Sequence, residues 1–127
     1  WKMQDLLGRL EISEKNPGVP FVSIHMNKFG KEKYSGLQVY YSGNCEESKS
    51  AADEVQSAVK RLIQPGNTRK TKRATSAIFL LDRIKSPGIL IECGFISNRT
   101  EADLLEQADY RKKLCLAVAS ALAGSGI

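Results

Sequence analysis

The stretch Gly88-Ile89-Leu90-Ile91-Glu92-Cys93-Gly94-Phe95-Ile96-Ser97-Asn98 decides the fold, because it joins a buried-strand pattern to a carboxylate and then to a helix start. Ile89, Leu90 and Ile91 follow the Pro87-Gly88 turn as a short apolar run, the pattern of a central strand covered on both faces. Glu92 is expected to close that strand. An acid at the carboxyl end of a buried strand lies where open α/β sheets place their ligand crevices. Asn98 and Glu101 have the spacing of a capping box, with Glu101 reaching back to the Asn98 backbone N–H, so a helix is predicted to start there.

Working outward, the preceding chain alternates helices and strands. Met3, Leu6, Leu7 and Leu10 recur at helical spacing between Trp1 and Lys15, and Asn16-Pro17-Gly18 ends that helix. Val19 to His25 reads as a strand with His25 at its carboxyl end, and period-two alternation puts Asn27 on the same side as His25. Met26 to Ser35 reads as a loop and Gly36 to Tyr41 as a strand. From Cys45 to Ile63, Ala52, Val55, Val59 and Leu62 give one apolar stripe on a polar helix. Thr68-Arg69-Lys70-Thr71-Lys72-Arg73 is the most basic run, and Ala77 to Leu81 is a further strand candidate. Beyond Asn98 a short helix carries Ala102, Leu104 and Leu105. A longer one carries Tyr110, Leu114, Val118 and Leu122, with Asp109 as its expected cap. Strands alternating with helices make this an α/β chain.

Composition narrows the partners. The 127 residues fit one domain, with 42% hydrophobic and 26% charged residues and no apolar run of membrane-spanning length. A net charge of +5 favours an anionic partner such as nucleic acid, a cell-wall polymer or a membrane surface. Cys45, Cys93 and Cys115 have the spacing of neither a disulfide framework nor a zinc cluster, and Cys93 and Cys115 read as buried free thiols. Nucleic-acid binding through Arg69, Lys70, Lys72 and Arg73 is disfavoured because the run lacks interleaved stacking aromatics.

His25 is the only histidine. Taken singly it reads as a satisfied structural residue or as a metal ligand, and Glu92 as a surface ion-pair acid or as a base of raised pKa. Held at one sheet edge, the two would combine a metal ligand with a general base, the means of hydrolysing an amide. A catalytic zinc takes three protein ligands, and no pattern here supplies the other two.

Phe21-Val22-Ser23-Ile24-His25-Met26-Asn27 followed by Ile91-Glu92-Cys93-Gly94-Phe95-Ile96-Ser97-Asn98 resembles the zinc-dependent N-acetylmuramoyl-L-alanine amidases of the amidase type 3 family. The likeness extends to the Gly36 to Tyr41 strand, the Cys45 to Ile63 helix, the Asn67 to Lys72 basic region and the Glu101 to Leu105 tail. It implies a mixed twisted sheet flanked by helices. It further implies His25 as a Zn2+ ligand, Glu92 as the catalytic carboxylate, Asn27 and Arg69 as substrate contacts, and cleavage of the amide between muramic acid and L-alanine in peptidoglycan. Asn27 has a second possible use, orienting His25. The family begins with a strand and a helix that supply the other two zinc ligands. Those elements are missing from residues 1–127, which therefore read as the carboxyl-terminal portion of a single catalytic domain. Glu92-Cys93 and Leu80-Leu81 resemble the spore-cortex amidases. The resemblance carries with it an activating protein partner and action outside the cytoplasm, in the cell wall, periplasm or spore cortex space. A non-catalytic peptidoglycan-binding module that has lost the metal is the alternative.

Overall fold

The computed structural model describes residues 2–28 and 30–127; Trp1, with which the first predicted helix opens, and Phe29 lie outside the described residues. Helix α1 (Lys2–Lys15) leads into strand β1 (Phe21–Asn27), which is followed by β2 (Gln38–Tyr41), α2 (Glu46–Leu62) and β3 (Lys72–Arg73). Then come α3 (Phe79–Arg83), β4 (Gly88–Phe95), α4 (Arg99–Glu106) and α5 (Ala108–Gly124). The strands form one mixed sheet in the order β1-β4-β2-β3, with β4 parallel to β1 and antiparallel to β2. This is the α/β architecture that the pattern predicts.

The apolar run of β4 sits between two layers. Ile89 and Ile91 are fully buried with Leu37 and Val39 of the β2 region against Val55 and Val59 of α2 and Leu114 and Val118 of α5. Each such side chain contributes about 1.5–3 kcal/mol by leaving water. On the opposite face Leu90 and Tyr40 pack with Phe21 against Leu81 and Ile84 of the α3 region. That second layer covers only the start of β4. Glu92 lies beyond that layer, half-buried.

The structure departs from the sequence pattern at several points. Ala77 to Leu81 is a turn and a helix, not a strand: Ile78 N–H donates to the Thr75 carbonyl at 3.0 Å, and α3 follows with Leu80 and Leu81 buried on one side. A five-residue apolar run has no periodicity that separates strand from buried helix. Lys72–Arg73 pairs parallel with Tyr40–Tyr41 as a short outer strand, whose charged residues suit a sheet edge. Met26 and Asn27 belong to β1 and not to the following loop. Asp109 is not the cap of α5; extended Gln107 is, and Asp109 lies in the first turn, where its charge suits the helix dipole. Leu62 is exposed, α1 buries no residue, and Cys115 is exposed while Cys93 is buried.

Beside Cys115, Val22, Ile24 and Met26 of β1 line an apolar cavity of about 280 Å³ with Val118 and Leu122 of α5. β1 is an outer strand, so its far edge carries no strand among the described residues, and Ile24 keeps 63% of its surface exposed.

Candidate active site

Local sequence positions the carboxylate. β4 does not stop at Glu92; it runs three residues further, to Phe95. Gly94 permits the extension, because a Cβ there would stand 2.5 Å from Oε1 of Glu101. Glu101 is buried, and its carboxylate accepts from the Phe95 N–H and, through Oε2 at 2.8 Å, from the Gly36 N–H. Half of the expected capping box therefore forms: Asn98 Oδ1 accepts from the Glu101 N–H at 3.0 Å, while the Glu101 side chain turns inward to join β4 to the start of β2.

His25 and Glu92 are Cα partners on β1 and β4, and register partners on parallel strands share a face. The imidazole is exposed, with Nε2 hydrogen-bonded to the Ser23 hydroxyl at 2.8 Å. Oε2 of Glu92 is buried without a hydrogen-bond partner among the described residues. Burial pushes the Glu92 carboxyl above its ordinary range, partly offset by the charge on His25. A carboxylate held in this way is primed to take up a proton.

Opposite His25 and Asn27, β4 carries one residue more than β1. The register moves from His25↔Glu92 to Asn27↔Phe95, a bulge, and the Asn27 carbonyl accepts from the Ile96 N–H at 2.8 Å. Arg69 approaches from the other side. Its Nε donates to the Ser35 carbonyl at 2.7 Å, Nη1 donates to Gln38 Oε1 at 3.2 Å, and the guanidinium lies over the Phe95 ring at 4.6 Å. Gln38 is the Cα partner of Glu92 on β2. The structure thus brings His25 and Glu92 together, sets Asn27 just past a bulge, and connects Arg69 to them through Gln38. Sequence reasoning missed Gln38 and the inward role of Glu101. The available signal for Gln38 was a buried amide in an otherwise apolar strand.

The fit of these residues to zinc is partial. An exposed imidazole beside a buried carboxylate oxygen lacking a partner suits one corner of a zinc site, with nitrogen to bind and a base at hand. Among the described residues no three His, Cys, Asp or Glu side chains cluster so as to hold a metal ion.

Comparison with known proteins gives the arrangement its family. The chain is 34% identical over 117 residues to the germination-specific N-acetylmuramoyl-L-alanine amidase of Bacillus subtilis (strain 168), covering 92% of this chain and 48% of that protein. It is 31% identical over 100 residues to the N-acetylmuramoyl-L-alanine amidase LytC of the same organism, covering 77% of this chain and 20% of that protein. The fold superposes with a TM-score of 0.90 on the CwlD amidase from Clostridioides difficile, solved in complex with the GerS lipoprotein. That match is 34% identical and covers 98% of this chain and 62% of the other. The chain thus spans about half the length of the germination-specific relative and less than two thirds of the solved one. The N-acetylmuramoyl-L-alanine amidase family model matches residues 2–124, nearly the whole sequence, and the chain belongs to that family.

Proposed function

We propose that the full-length protein carrying this chain hydrolyses the amide between N-acetylmuramic acid and L-alanine in peptidoglycan, with Glu92 as the residue that moves the proton. The observation that carries this reading is the buried, unpartnered Oε2 of Glu92 in register with an exposed imidazole. Glu92 takes a proton from the attacking water and delivers it to the alanine nitrogen as the carbon–nitrogen bond breaks, leaving a lactyl carboxylate and a free amine. His25 would hold Zn2+, which when bound polarises the carbonyl and lowers the pKa of water to about 7. Asn27 and Arg69 flank the pair and serve as substrate contacts.

The remaining zinc ligands come from polypeptide outside these residues, which together with residues 1–127 makes up the catalytic domain. Two observations support this. The described residues offer a single imidazole, and the Val22, Ile24 and Met26 face of β1 is apolar and open at a sheet edge. The named relatives favour a role in cell-wall or spore-cortex remodelling outside the cytoplasm, and the lipoprotein-bound CwlD amidase favours a protein partner here too.

The test is Glu92→Gln in the full-length protein. Release of stem peptide from muropeptides, followed by mass spectrometry, should fall about a hundredfold to ten-thousandfold. Release at the normal rate would overturn the reading. A second reading, a peptidoglycan-binding module without catalysis, draws on the incomplete donor set among the described residues. Zinc stoichiometry of the full-length protein separates the two.

A further inference from the structure

A polar concavity of about 680 Å³, within the usual size range of ligand pockets, is lined by Gln38, Asn67, Arg69 and Glu101. Its rim carries Lys33, Arg69, Lys70 and Lys72. Its buried wall is already satisfied. Gln38 Nε2 donates to the Lys70 carbonyl at 2.8 Å, and Asn67 Nδ2 donates to the Leu37 carbonyl at 2.9 Å. Glu101, the one carboxylate in the lining, is committed to the amides of Gly36 and Phe95. None of the four rim cations has a carboxylate within ion-pair distance among the described residues. Cations gathered around a hollow without counter-charges of their own form a site for an anion.

The connection to Glu92 runs through Gln38, whose side chain lines the concavity and whose Cα pairs with Glu92 across β2 and β4. Gln38 thus sets the concavity one strand across from Glu92, on the β2 side of the sheet. We propose that this concavity binds the free carboxylates of an acidic peptide, the stem on the amine side of the scissile bond. The assignment rests on the amidase reading and adds its specificity: Lys33, Lys70 and Lys72 select stems whose α-carboxylates are free over stems in which they are amidated.

The experiment uses the full-length protein and two synthetic muropeptides that differ only in amidation of the second stem residue's carboxyl. The wild type should show a KM about tenfold lower for the free acid, and the Lys70→Gln/Lys72→Gln double variant should reduce that preference to about twofold or less. Lys60→Gln/Arg61→Gln, which neutralises two cations on α2, should leave the preference intact. Equal KM values in the wild type, or a preference that survives in the Lys70/Lys72 variant, would overturn the proposal. Calorimetric titration of both free stem peptides into Glu92→Gln reads the concavity without turnover, so loss of peptide discrimination there is distinguishable from failure of the amidase reading. A glycerol-phosphate oligomer that displaces the acidic peptide at lower concentration than the peptide itself would reassign the concavity to a phosphate polymer and overturn it as well.

Discussion

His25 of β1 and Glu92 of β4 are register partners, and the carboxylate keeps one oxygen, Oε2, buried without a hydrogen bond among the described residues. The two differ in exposure: the imidazole lies in solvent and is hydrogen-bonded to the Ser23 hydroxyl, whereas Glu92 is half-buried. His25→Ala should therefore change the stability of the metal-free full-length protein by no more than about 0.5 kcal/mol. It should also remove stoichiometric zinc. Denaturant titration and elemental analysis after dialysis check the two halves, and retained zinc would exclude His25 as a ligand.

Glu101 is the clamp behind the site. Glu101→Ala leaves the N–H groups of Gly36 and Phe95 without their acceptor and should destabilise by about 2–4 kcal/mol. Glu101→Gln keeps one acceptor oxygen and should cost less. Gly94→Ala drives a Cβ against the same carboxylate and should cost about 1–3 kcal/mol alone. In the Glu101→Ala background the Gly94→Ala cost should largely vanish. A double-mutant cycle by chemical denaturation measures that coupling, and additive costs would show that the two positions act independently.

Gln56 plays a comparable part in the other layer. Its Oε1 accepts from the Val39 N–H at 3.0 Å and its Nε2 donates to the Leu37 carbonyl at 2.9 Å, both buried. Gln56→Leu strands the Val39 N–H, whereas the Leu37 carbonyl keeps its bond from Asn67 Nδ2. The expected loss is about 1–3 kcal/mol, read as a lower denaturant midpoint with unchanged m-value.

Cys93 gives a pH signature. Burial pushes its thiol from the ordinary 9.0 up to about 11. The folded protein thus holds the proton more tightly than the unfolded chain. The contribution is fully present below about pH 9 and is lost as pH rises through about 11, with an upper bound of roughly 2–3 kcal/mol. Cys93→Ala should flatten the fall in stability over that window relative to the wild type. At pH 8 a maleimide should label exposed Cys115 well before Cys93, as peptide mapping would report.

Neutralising the rim of the polar concavity should alter substrate choice without altering the fold. Lys70 and Lys72 flank Thr71, whose hydroxyl donates to Asp53 of α2 at 2.6 Å and holds this stretch in place. Lys70→Gln/Lys72→Gln should melt within a few degrees of the wild type by circular dichroism. A large drop in melting temperature would give these lysines a structural role.

Local spacing by itself determined a good part of this protein. The apolar run of Ile89 to Ile91 marks β4, the three- and four-residue recurrence of Ala52, Val55 and Val59 marks α2, and Asn98 marks the start of α4. These signals are legible because periodicity and caps operate over a few residues. His25 and Glu92 stood out for a related reason, as ionisable groups interrupting apolar strands. Only the tertiary structure decided which groups meet. Glu101 bonds to Gly36 across 65 positions of sequence, Arg69 reaches the Ser35 carbonyl across 34, and the bulge past His25 follows from how β1 and β4 register. The helix at Phe79–Arg83 was likewise set by what Leu81 packs against and not by the spacing of its apolar residues. Partners far apart in the chain leave no mark on local spacing; they are chosen by the burial and hydrogen bonding of the folded whole.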